Sequence, residues 1–130
     1  MQTNEANIEI VRKNKKLFSI AVVMPMWDKI GDDNFLRIDI PLFNLKTYAQ
    51  NEGDAESAIE EAIKVFCINA EKFGAGLENE LRILGWSHYT EIDEVVSMVY
   101  NVSDTNVVME QIMETGENYA HTHSLELELA

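Results

Sequence analysis

Two histidines one residue apart, His121 and His123, have the type and spacing that suit chemistry. On a strand, residues i and i+2 point to one face, as a pair of metal ligands requires. A third ligand, His88 or a carboxylate, would have to come from elsewhere. Both histidines also share a face with Leu125 and Leu127, which puts them at the polar margin of a core. The expectation is therefore no metal site, with His121 and His123 as the candidates if one exists. Cys67 stands alone, between Phe66 and Ile68 in a helical pattern, and reads as a packed thiol rather than a nucleophile. Asp28, Asp32, Asp33 and Asn34 suggest calcium, but their spacing does not fit an EF-hand loop and the terminal Glu is missing. HExxH, CxxC, P-loop and nucleophile-elbow patterns are absent. No catalytic residue and no cofactor is expected, and the chain reads as a non-enzyme.

The elements that would carry these residues follow from periodicity. Residues 17–27 form the strongest strand, with Phe18, Ile20, Val22, Met24 and Met26 on one face and Leu17, Ser19, Ala21 and Val23 on the other. Both faces are largely apolar, so each needs cover. An earlier strand holds Ile8 and Ile10, with Lys13 to Lys16 as the turn. Leu36, Ile38, Ile40 and Leu42 alternate with Arg37, Asp39 and Pro41, and Leu45, Thr47 and Ala49 make a shorter strand. Asp54 then caps a helix over 54–73, whose stripe is Ile59, Ala62, Ile63, Phe66, Ala70 and Phe73, and Gly74 closes it. Short helices follow near 77–84 and 105–115. Between them lie a connector at 88–94 and a strand at 95–102, and a last strand spans 119–129. The fold class is α+β: an antiparallel sheet of about four to six strands, covered on one face by the 54–73 helix. No repeat or linker divides the 130 residues, so one domain is expected, with a C-terminal strand-helix-strand extension.

Charge narrows the function classes. Twenty-three acidic residues against ten basic ones give a formal charge of −13. That balance argues against direct binding to nucleic acid or to an anionic membrane. The longest apolar run, Ile20 to Trp27, is too short to span a bilayer. The opening MQTNEANIEI lacks the pattern of a signal peptide, so a cytoplasmic location is expected. After Arg82 there is no Lys or Arg, and Glu110, Glu114, Glu117, Glu126 and Glu128 become the candidate docking residues for a basic protein partner. The regular 119–129 strand, with no Pro or Lys to blunt it as an edge, predicts a homodimer or a larger even-numbered assembly.

The order of these elements resembles the HicB-like antitoxin family. The counterparts are the strand Leu36 to Pro41, the short strand Lys46 to Ala49, then Gly53-Asp54, then Glu56-Ser57-Ala58 opening the helix, within roughly residues 17–70. The resemblance implies a sheet-plus-helix domain that binds a protein. The family's C-terminal DNA-binding segment has no counterpart in a region without basic residues. The expected function is a non-catalytic protein-binding module similar to a HicB-like antitoxin or an orphan relative. The alternatives are a small acidic inhibitor that mimics nucleic acid and blocks a basic protein, and a metal-dependent enzyme using His121 and His123.

Overall fold

The computed structural model describes residues 4–31, 33–102 and 119–129, except for the side chains of 4, 5, 101, 102 and 119–123. Seven strands form one antiparallel sheet: β1 (Asn4–Lys13), β2 (Lys16–Ile30), β3 (Leu36–Ile40), β4 (Leu45–Ala49), β5 (Ser87–Ile92), β6 (Val95–Val102) and β7 (Tyr119–Glu128). Among the described residues two α-helices, α1 (Glu52–Lys72) and α2 (Leu77–Ile83), complete an α+β fold. The sheet has one strand more than the sequence pattern supplies, because the expected connector at 88–94 folds as β5. Its period is masked by a bulge: His88 pairs with Met98 and Thr90 with Ser97, leaving Tyr89 without a partner. The expected short helix near 105–115 lies outside the described residues.

β2 organises the sheet. Ser19 to Val23 have partners in both β1 and β7, and Trp27 and Asp28 have partners in both β3 and β7. A strand has only two edges, so β7 lines one of them while β1 and β3 share the other, end to end. Between those two partners lies Met24–Met26, with Pro25, which has no N–H to offer a ladder, at its centre. On the far side of β1 come β6 and then β5.

One face of the sheet is closed. Ile8, Ile10, Ile20, Val22, Met24, Met26, Ile38, Ile40, Met98, Leu125 and Leu127 are all buried there. The helix α1 packs on β3 and β4 and reaches β7 and α2, burying Ile59, Ile63, Cys67 and Ala70. An aromatic chain ties the layers together. Phe66 of α1 stacks on Phe43 with centroids 5.1 Å apart, Phe43 meets Trp86 edge-on, and Trp86 meets Tyr100 of β6 edge-on. Phe43 belongs to a 3-10 turn, Pro41–Phe43, and the Trp86 indole N–H donates to the Leu42 carbonyl at 3.0 Å. Leu42 is therefore buried from a turn rather than from the strand expected to include it.

Several local expectations are corrected. Asn51, not Asp54, caps α1: its side-chain oxygen accepts from the Asp54 N–H at 3.1 Å, and the helix begins at Glu52. Phe73 leaves the apolar stripe and is 83% exposed, because the helix stops at Lys72 and the chain turns away. The left-handed glycine after α1 is Gly76, at φ +96°, not Gly74. Gly85 follows α2 at φ +110°, and a Cβ there would sit 2.8 Å from the Tyr100 ring.

Candidate partner-binding face

Among the described residues, no helix or strand covers the centre of the sheet's second face, and the ladder registers map it. One row across the strands reads Ser97, Glu9, Ala21, Glu126; the next reads Val95, Val11, Ser19, Glu128. A third, on the other side of the first, reads Val99, Asn7, Val23, Ser124. The middle strand contributes only small side chains, Ala21 and Ser19, between longer ones on β1 and β7. The result is a trough of about 410 Å³ with Val11, Ser19 and Ala21 in its floor and Glu9, Glu126 and Glu128 along its sides. Two strand spacings put Glu9 and Glu126 roughly 10 Å apart, close enough for one side chain from a partner to lie between them. Val23, beside the trough, is 39% exposed.

A bulge supplies the trough's aromatic wall. Val11 pairs with Ser19, but Arg12 pairs with Leu17, so Phe18 is the extra residue on β2. The expected alternation put Phe18 on the face of Ile20 and Val22, and Leu17 on that of Ser19 and Ala21. The bulge reverses this: Leu17 joins the core and Phe18 turns to line the trough. The Lys13 ammonium lies 3.8 Å from the Phe18 ring centroid, a cation–π contact. Lys13 pairs directly with Lys16 across a two-residue turn, Asn14-Lys15, with both turn residues at positive φ, as a type I′ hairpin requires.

Arg12, Lys13, Lys15 and Lys16 are close in sequence on the first hairpin, and the fold divides them. Arg12 faces the helices, not solvent. Its guanidinium donates to both carboxylate oxygens of Glu71, at 2.5 and 2.8 Å, and to both of Glu78, at 2.5 and 3.0 Å. The two hydrogen-bonded carboxylates hold the Arg12 pKa well above its ordinary value. Hydrogen bonding to Arg12 pulls the Glu71 carboxyl below the usual range. Burial opposes the same effect at Glu78, but the bonds and charge of Arg12 still bring it down. This cluster fastens the β1–β2 hairpin to the end of α1 and the start of α2. Lys13, Lys15 and Lys16 remain exposed.

The other sequence candidates separate. Glu126 and Glu128 are exposed on the open face, and Glu9, which sequence reasoning passed over, joins them through the β1 register. Strict alternation of Ile8, Glu9 and Ile10 was the available signal. Glu110, Glu114 and Glu117 lie outside the described residues. His121 and His123 stand opposite Met26 and Met24 on β7, and their side chains are outside the described residues as well. His88 is on β5, four strands away from β7, so the sheet does not bring it to the pair. Among the described residues no three His, Cys, Asp or Glu side chains are placed to hold a metal ion. Cys67 is fully buried and burial pushes its thiol up to about 12. Among the described residues no helix is long and apolar enough to cross a membrane. The indole N–H of Trp27, a side chain packed against the core, is buried and has no acceptor among the described residues.

The fold and face thus define an α+β sheet protein with one helix-covered side and one acidic, partly apolar side. Compared with known protein families, curated proteins and solved structures, the chain matches none.

Proposed function

We propose that this chain is a non-catalytic protein-binding module, similar to a HicB-like antitoxin or an orphan relative, that takes a basic partner on the open face of its sheet. The observation that carries the reading is the trough between Glu9, Glu126 and Glu128, with a small apolar floor and the Phe18 ring at its end. A lysine or arginine side chain of a partner would lay its methylenes on Val11 and Ala21 and its charge among the carboxylates. The aromatic wall suits the same cation. The inhibitor reading uses this face too and differs in the partner, a basic enzyme blocked rather than a toxin neutralised.

The test is calorimetric titration with a ten-residue oligolysine probe at low and moderate salt. Binding should weaken with salt and fall at least tenfold in a Glu126→Lys/Glu128→Lys variant. Reversing Glu56 and Glu61, exposed on α1, controls for net charge. Equal losses from both variants would reduce the effect to net charge and end the proposal. Co-expression with the product of an adjacent toxin gene separates the two partner classes: neutralisation lost on reversing Glu126 and Glu128 marks an antitoxin.

A further inference from the structure

We infer that the open face is self-complementary and that a second copy of this chain docks on it face to face. The inference rests on the reading of that face as a docking surface and names its resident occupant.

The face carries two opposite charge groups that no described residue neutralises. Lys13 and Lys16 are directly paired across the hairpin, an unfavourable like-charge arrangement, and neither makes an ion pair among the described residues. Glu9, Glu126 and Glu128 likewise make none. Along β2 the lysine pair stands at Lys16 and the first carboxylate row at Ala21, with Phe18 and Ser19 midway. A two-fold axis across the strands at Phe18 and Ser19 therefore lays the lysines of each copy over Glu9 and Glu126 of the other, with Glu128 of each copy beside the axis. The same rotation brings the two Phe18 rings to the axis and covers Val11, Ala21 and Val23. Facing sheets lie about 10 Å apart, within reach of extended lysine and glutamate side chains from either side. Such an interface is isologous and closed, so it stops at a dimer.

This placement differs from the one the sequence suggests. There the dimer forms by pairing at an exposed edge of the 119–129 strand; here Leu125 and Leu127 are turned into the chain's own core, and the contact lies on the strand's other face. The glutamates of that strand, not its leucines, face the second copy.

The experiment is sedimentation velocity on the intact chain, at tens of micromolar, in 20 mM and 500 mM salt. The expected result is a dimer at low salt that dissociates at high salt. Lys13→Glu/Lys16→Glu and Glu126→Lys/Glu128→Lys variants should each be monomers with unchanged circular dichroism, since all four side chains are exposed. A one-to-one mixture of the two variants should recover the dimer mass. A monomeric intact chain at low salt overturns the inference, and so does a mixture that stays monomeric. If the intact chain is monomeric yet still takes the oligolysine probe at Glu126 and Glu128, only the dimer fails. If it neither dimerises nor takes the probe, the docking surface fails with it.

Discussion

Replacing Arg12 by Met should remove the cation that holds two carboxylates while keeping the length of the side chain. Arg12, Glu71 and Glu78 retain only 20%, 26% and 20% of their side-chain exposure, so all three charges are largely withdrawn from water. Breaking a fully buried ion pair from one side costs about 3–5 kcal/mol; discounting for this residual exposure gives roughly 3 kcal/mol. At about 4 °C per kcal/mol for a chain of this size, the melting temperature at pH 7 should fall by roughly 12 °C. The pH dependence is the sharper signature. In the native chain both carboxyls titrate below their ordinary 4.5, so their stabilisation is complete above that value and is lost as pH falls through the lowered ones. In the variant, burial and the Glu71 charge outweigh the remaining backbone hydrogen bond and raise the Glu78 carboxyl. Its contribution then favours the folded state at low pH and fades as pH rises past 4.5. Between pH 6 and pH 3 the gap between the two proteins should therefore narrow. A Glu78→Gln partner completes a double-mutant cycle, with a coupling of roughly 1–3 kcal/mol expected. A loss under 0.5 kcal/mol at pH 7, or a gap that widens in acid, would refute the reasoning.

Two further outcomes follow from the core and the helix cap. Because the folded Cys67 thiol ionises near 12 and the unfolded one near 9.0, stability should fall with rising pH above 9.0, by about 1.4 kcal/mol per unit from this group; denaturant titrations of the native chain and Cys67→Ala at pH 9 and 10.5 measure it, and equal slopes refute it. Asn51→Ala should cost about 1 kcal/mol through the lost cap, and Asp54→Ala less, since its N–H rather than its side chain is the capping partner; equal losses in thermal melts would return the cap to Asp54.

Long periodic segments were legible in the sequence. The alternation of Ile8 and Ile10, of Ile20 to Met26 and of Leu36 to Ile40, with the Ile59–Ala70 stripe, yields the strands, the helix and the buried face. What escaped was set by partners rather than by local pattern. Phe18 and Leu17 exchange faces because β1 and β2 fall out of step by one residue, which β2 alone does not announce. Tyr89 hides β5 in the same way. The role of Arg12 was not legible because its partners, Glu71 and Glu78, are distant in the chain. Asn51 and Asp54 are both good capping residues, and the helix start decides between them. At the candidate site, Glu126 and Glu128 were legible as exposed charges, while Glu9 and the trough arise only when β1, β2 and β7 come into register.

The sharing of β2 between β1 and β3 on one side and β7 on the other also orders events in time. The first side is satisfied by neighbours in sequence, within two hairpins. The second must wait for β7, since Ser19 pairs with Glu128. At a synthesis rate of about 5–20 residues per second, the strand at the heart of the sheet stays one-sided for roughly 5–20 s as the chain is made. During that interval a long apolar strand exposes a row of unpaired backbone groups, the template on which chains pair with the wrong neighbour. The closing ladder, like that of β1 with β6, joins segments far apart in the chain, so both form after the local hairpins. A chain cut short before β7 is therefore a hazard to other copies of itself.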